Sequence, residues 1–223
     1  MKTPALPLTA AIFDLDGTLL DSMGMWYDVD VEFLARRGIP MPPDYSAIIA
    51  PMGFPGAAHY TKERFSLPET EEAIMDEWHA MALDAYTLHI GEKPYAHDYL
   101  AFLHEKGIPC AAATASHREY WEPALKRLGM LPYFSSVTEV REVSRGKGFP
   151  DIYLRAAEKL GVSSPASCAV FEDIVAGVTG ARAGGFYTVG VHDEHNRGTE
   201  ELPFLCDRYI RSFSELLEDD IFR

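Results

Sequence analysis

Asp14 and Asp16 stand one residue apart in "AIFDLDGTLLDS", at the end of a short apolar run and immediately before Gly17. Glu172 and Asp173 end a second apolar run, "SCAVFED". A lone aspartate in such a place is ordinarily a turn former or a helix N-cap. Two acid pairs at two strand ends are harder to explain that way, because carboxylates within ~4–6 Å raise each other's pKa and destabilise the fold unless a cation or proton intervenes. If the strands beginning near Ala11 and Cys168 are neighbours, these acids imply a divalent metal. Oxygen ligands with few candidate histidines favour Mg2+, which keeps several waters and partners phosphate, over Zn2+. The Thr114 hydroxyl in "TAS" is followed by small residues whose backbone N–H groups can approach an oxyanion, and Lys147 lies in "SRGKGFPD". A lysine in a glycine-flanked loop is usually solvated surface. A phosphate site in a strongly acidic chain nevertheless needs a local cation.

These residues require a scaffold that gathers strand ends. From Pro94 onward, helical stretches ending at Gly107, Leu128 and Gly161 alternate with the apolar strands "IPCAAATAS", "SCAVFED" and "FYTVGV". Such alternation indicates βαβ units and a parallel sheet, whose chemistry gathers beyond the carboxyl ends of the strands. Asp14, Asp16, Thr114, Glu172 and Asp173 are all expected at such ends. Residues 22–90 read differently, as helix and loop: Trp26, Val29, Phe33 and Leu34 recur at helical spacing before Gly38 and Pro40, and Ile74, Met75, Trp78, Met81 and Ala85 form a second helical pattern. The expected fold is α/β, a Rossmann-like parallel-sheet core of residues 1–21 and 91–223 with an inserted α-helical domain over 22–90.

The chain has 223 residues, 47% hydrophobic, enough for a sizeable core. With 34 acidic against 20 basic side chains its net charge is −14, which disfavours nucleic acid and anionic membrane as partners. Cys110, Cys168 and Cys206 show no close-spaced metal pattern, and two of them sit in short apolar runs where a buried thiol is the ordinary reading. They fit a reducing cytoplasm. The N-terminal stretch lacks the apolar run of a signal peptide, and no later segment approaches a membrane span, so a cytoplasmic, soluble chain is expected.

"DLDGT", "TAS", the lysine of "GKGFPD" and "VFEDIVAGVTGARAGG", in this order, resemble the four motifs of the haloacid dehalogenase superfamily, over about residues 10–190. The similarity is to the branch holding β-phosphoglucomutase and small sugar-phosphate phosphatases, with residues 22–90 where that branch carries its helical cap. The resemblance implies Asp14 as the nucleophile that forms an aspartyl-phosphate, and Asp16 as the acid and then base. It implies a Mg2+ site at Asp14, Asp16 (through its backbone carbonyl), Glu172 and Asp173. Thr114 and the Ala115 amide would bind the phosphoryl group, and Lys147 would offset charge. An acid at position 16 favours phosphate esters over halide release, which needs no proton.

The implied activity is hydrolysis of a small phosphorylated metabolite by a monomer or weak dimer. A sugar-phosphate mutase is the alternative, and residues 38–61 hold no Lys or Arg to clamp a second phosphate. A non-catalytic phospho-acceptor or binding protein is the alternative of another class; it would need neither Asp16 nor an inserted domain. Met23, Met52 and Phe54, with the loop "PMGFPG", are candidates to line the substrate, whereas Trp26 and Phe33 read as core. Lys93 is expected either near the hinge of the inserted domain or simply solvated, and solvated is the favoured reading. His192, Asp193 and His195 in "VHDEHNRG" suggest a second metal site, but a polar loop after a strand is the favoured reading.

Overall fold

The computed structural model describes residues 3–49, 52–196 and 199–222. The chain divides into two compact units, one of Met1–Met23 with Ile90–Arg223 and one of Gly24–His89.

The first unit is an α/β layer structure. Its sheet holds β1 (Ala10–Phe13), β4 (Cys110–Thr114), β5 (Phe134–Glu139), β6 (Cys168–Glu172), β7 (Tyr187–Val191) and β8 (Arg208–Ile210), in the order β5-β4-β1-β6-β7-β8, with every neighbouring pair parallel. The short strands β2 (Leu20–Asp21) and β3 (Gly91–Glu92), where the chain leaves this unit and returns to it, pair antiparallel. Every residue of β1, β4, β6 and β7 is buried. This is why these strands read as unbroken apolar runs: helices cover both faces of a parallel sheet.

On one face, Ile152, Tyr153, Ala156 and Ala157 of α7 (Asp151–Lys159) pack with Ile12, Ala111 and Val170. On the other, the Phe13 and Phe171 rings stack 4.3 Å apart and meet Tyr99 of α5 (Ala96–Glu105) and Phe213. The strands run from β1 outward to β4 on one side and to β6 on the other. That reversal opens a crevice at the carboxyl end of β1, the usual ligand position in open α/β sheets.

The second unit holds α1 (Met25–Ala35), α2 (Tyr45–Ile49), α3 (Gly53–Phe65) and α4 (Glu71–Asp84), continued by a π-helical turn over Ala85–His89. The Thr70 hydroxyl accepts from the Ala73 amide at 3.2 Å and starts α4, and Gly38, at φ +70°, closes the turn after α1. Phe33 is fully buried against Trp78, as its spacing predicts. Trp26 is not core: it is 37% exposed and stands edge-on to Phe54 at 5.4 Å. The "GFPG" stretch is also helical rather than loop, because Pro55 falls in the first turn of α3, where its missing N–H costs nothing. Pro51, the start of the expected loop, lies outside the described residues.

Candidate active site

Parallel pairing sets the site. β1 lies beside β6 with Phe13 opposite Phe171, so Asp14 leaves its strand next to Glu172 and Asp173. β4 flanks β1 on the other side and ends at Thr114. Asp14, Glu172 and Asp173 each place a carboxylate oxygen within 4.8 Å of the others, and all three are buried. After Asp14 the chain turns sharply, with Gly17 at φ +82° and the Leu19 and Leu20 amides donating to the Leu15 carbonyl. Asp16 projects from this turn, partly exposed, and its Oδ1 accepts from the Ser22 hydroxyl at 2.7 Å.

Lys147 is brought in by the loop before α7. Its Nζ is ion-paired with Asp14 and lies 2.7 Å from Glu172 Oε1, so it is not the solvated lysine that its glycine-flanked setting ordinarily means. Burial pushes this ammonium down, but the Asp14 and Glu172 carboxylates outweigh it and hold Lys147 above its usual value. Burial raises Asp173 well above the carboxylate range, and the Asp14 and Glu172 charges add to the rise. Glu172 is raised by burial too, against the lowering pull of Lys147. One ammonium therefore leaves the three acids short of positive charge.

A divalent cation fits this donor set. Glu172 Oε2 is buried with no hydrogen-bond partner among the described residues, so its lone pairs are available to a cation. Two glycines keep the space beside these acids open: a Cβ at Gly17 would run into the Asp173 carboxylate, and one at Gly177 into the Glu172 carboxylate. The donors of this group among the described residues are all carboxylate oxygens, which suit a hard cation.

Thr114 is fully buried, and its Oγ1 accepts from the Ser116 amide at 2.9 Å, which leaves the hydroxyl proton for an incoming acceptor. Met23 belongs to the core unit, beside Gly17, and not to the inserted one. Met52 and Phe54 are 40% and 37% exposed on the inserted unit.

Several further groups meet these acids once the chain is folded. Thr18, buried inside "DLDGT", has its Oγ1 3.3 Å from Asp14 Oδ2 and 3.2 Å from Asp173 Oδ1. Tyr153 on α7 donates to Glu172 Oε1 at 2.8 Å, and the Asn196 amide donates to Asp173 Oδ2. Only a fold could bring them to the acids.

Gly180 of α8 (Val175–Ala183) seats the Lys147 loop. A Cβ there would overlap the Lys147 carbonyl oxygen and stand 2.8 Å from the Phe149 carbonyl oxygen. Alanine in a helix interior normally stabilises by about 0.5–1 kcal/mol over glycine. Here overpacking, at about 1–3 kcal/mol, wins. Gly180→Ala is expected to lower the melting temperature and, by moving Lys147 by about 1 Å, to cut kcat/KM about 10²-fold. Melting curves and steady-state kinetics with p-nitrophenyl phosphate check both; an unchanged kcat/KM would show that the loop tolerates the methyl group.

The model of the haloacid dehalogenase-like hydrolases matches residues 8–185. Among curated proteins, the chain is 32% identical to the fructose-1-phosphate phosphatase YqaB of Escherichia coli over 186 residues, 81% of this chain and 94% of that one. It is 29% identical to the validoxylamine A 7'-phosphate phosphatase of Streptomyces hygroscopicus, covering 83% of this chain and 86% of that one. A crystal structure of a protein described as a putative β-phosphoglucomutase, from Thermotoga maritima, superposes with a TM-score of 0.84 at 26% identity, over 95% of this chain and 98% of that one.

Proposed function

The chain belongs to the haloacid dehalogenase-like hydrolases, and from that premise we propose that it is a Mg2+-dependent phosphatase releasing phosphate from a small phosphorylated metabolite, with a sugar phosphate the favoured class. The observation that carries this reading is the meeting of Asp14, Glu172, Asp173 and Lys147 at one strand-end crevice. The named activities of the phosphatases it resembles point the same way.

In this reading the Asp14 carboxylate attacks phosphorus and the ester P–O bond breaks. Asp16, protonated, gives its proton to the departing alkoxide oxygen. It then takes a proton from the water that attacks the aspartyl-phosphate, which frees phosphate and regenerates Asp14. Thr114 and the Ala115 amide hold the phosphoryl oxygens, and Lys147 stays charged against them. Asp14, Glu172, Asp173 and the Asp16 backbone carbonyl would hold Mg2+, which would supply positive charge against the transferring group. The helical insert serves as a cap that selects the leaving group, and Met52 and Phe54 of the insert and Met23 of the core unit are the proposed substrate contacts.

A bisphosphate mutase needs a second cationic clamp. The inserted unit has four basic side chains, Arg36, Arg37, Lys62 and Arg64. Arg36 and Arg37 pair with Glu32, Glu69 and Glu77, Lys62 donates to the Glu69 carbonyl, and Arg64 pairs with Asp44. Each is engaged within its own unit, which favours hydrolysis.

The test is phosphate release from a panel of small phosphate monoesters with and without Mg2+. Metal-dependent release is expected, and isomerisation of a sugar phosphate without release would favour the mutase.

The raised acids also set a pH-dependent prediction. Their folded pKa values lie above the ordinary carboxylate values, so the metal-free protein has the associated stability at low pH and loses it as pH rises above 3.8 for Asp173 and above 4.5 for Glu172. Metal binding displaces those protons. Mg2+ at about 100 times its Kd is expected to add about 2.7 kcal/mol at pH 7.5, and the gain should shrink on acidification. Thermal melts with and without Mg2+ at several pH values measure it; a gain that grows with acidity would contradict the metal site.

A further inference from the structure

A second group of ligand-type side chains, Asp21, Asp193 and His195, brings donor atoms within 4.8 Å of one another. It is not a vacant metal site, because a cation of the chain already lies there: Lys93 Nζ is 2.8 Å from Asp193 Oδ2 and 3.9 Å from Asp21 Oδ1. Lys93 is therefore buried, contrary to the solvated lysine expected from the sequence, and the Asp193 side chain is wholly buried with it. His192 is engaged elsewhere, its Nδ1 2.8 Å from the Tyr209 hydroxyl. Arg197 and Gly198, the end of "VHDEHNRG", lie outside the described residues.

A buried ion pair is weak evidence for stability, since desolvation cancels much of the attraction. What this pair fixes is geometry. Lys93 follows β3, and its own amide donates to the Leu19 carbonyl at 2.9 Å, so it is anchored to the turn that carries Asp14 and Asp16. Asp193 receives the Lys93 ammonium on Oδ2 and the His195 and Asn196 amides on Oδ1, at 2.8 and 3.1 Å. This aspartate-capped turn sets the Asn196 backbone. The Asn196 side-chain amide then donates to Asp173 Oδ2, while the Thr18 hydroxyl approaches Asp173 Oδ1. Both oxygens of one acid are thereby tied, from two different segments.

We propose that Asn196 is a positioning residue that orients the metal-holding carboxylate of Asp173, and that the buried Lys93–Asp193 pair holds Asn196 in place. The inference rests on Asp173 being a metal ligand. Groups that orient a ligating carboxylate are typically worth about 10–100-fold in metal affinity.

Mn2+ titrated into the metal-free full-length protein, with free Mn2+ read by electron paramagnetic resonance, tests this without substrate. Asn196→Ala is expected to raise the Mn2+ Kd about 10–100-fold. The double variant Lys93→Met/Asp193→Ala, which removes both buried charges, should weaken Mn2+ similarly, and adding Asn196→Ala to it should weaken binding little further because both act through one contact. Asn196→Ser, too short to reach Asp173, repeats the measurement should Asn196→Ala fold poorly.

Activity supplies a second readout. With p-nitrophenyl phosphate, Asn196→Ala should need more Mg2+ for half-maximal rate yet recover kcat at saturating Mg2+, whereas a general loosening of the loop would lower kcat at every concentration. Wild-type Mn2+ affinity in a folded Asn196 variant overturns the proposal even if phosphatase activity stands. Asp173→Asn is the control for the metal reading: if it binds Mn2+ as the wild type does, the metal site itself is wrong and the proposal falls with it. Weakened Mn2+ in both variants, with no phosphate released from any ester, would uphold the positioning role and overturn only the phosphatase reading.

Discussion

Asp14→Asn is expected to abolish phosphate release, by about 10⁴-fold or more, as removal of a covalent nucleophile does, and to leave the fold intact. The carboxylate sits with Glu172 and Asp173 in a cluster where burial raises the two neighbours and the Asp14 charge adds to the rise. Asparagine keeps the shape and removes one negative charge. Lys147 loses one partner but retains Glu172 Oε1 at 2.7 Å, so its ammonium is not stranded. The metal-free variant should therefore melt no lower than the wild type. Steady-state phosphate release and a melting curve on the same preparation check the pair of outcomes. Activity close to wild type, or an unfolded variant, would remove Asp14 from its assigned role.

Asp16→Asn is expected to be nearly as costly on ordinary alkyl phosphates, about 10²–10⁴-fold, but for a different reason. An alkoxide leaves badly without a proton, whereas a p-nitrophenolate leaves well without one. The first step with p-nitrophenyl phosphate should survive and the second, which needs Asp16 to take a proton from water, should slow. The variant is thus expected to release a burst of p-nitrophenol and then stall with phosphate on the enzyme. Rapid-mixing absorbance measures the burst, and the comparison with an alkyl phosphate measures the leaving-group dependence. An equal loss for both esters, with no burst, would argue that Asp16 only shapes the turn that Gly17 and Ser22 complete.

Legibility in the sequence followed burial. β1, β4, β6 and β7 are buried throughout and read as apolar runs, and the acids at their ends mark where each stops. The edge strands carry no such signal: "FSSVTE" of β5 mixes small polar residues with half-exposed positions, and "RYI" of β8 is too short for a period. In the same way, Asp14, Glu172, Asp173 and Lys147 were identifiable because motif order stands in for the sheet that joins them. The contacts of Tyr153 and Asn196 were not. Tyr153 reads as one apolar position of a helix, and its hydroxyl acquires a role only when α7 crosses β6. Lys93 shows the same limit from the other side: its neighbours in sequence give no sign that it is buried, and the partner it is buried with, Asp193, is 100 residues away. Trp26 has core spacing on α1 but stands at the margin of its unit, where helical periodicity cannot separate the inner from the outer edge of an apolar face.

The central claim is covalent chemistry at Asp14, and it can be read directly. Asp16→Asn mixed with p-nitrophenyl phosphate and Mg2+, quenched in acid and reduced with borohydride, should yield a chain in which Asp14 alone has become homoserine, located by peptide mass spectrometry. Reduction requires the acyl phosphate, so an unphosphorylated aspartate is left unchanged. Homoserine at position 14, absent when Asp14→Asn is combined with Asp16→Asn, is the predicted result. A burst of p-nitrophenol with Asp14 recovered intact, or the modification found at another residue, would contradict it.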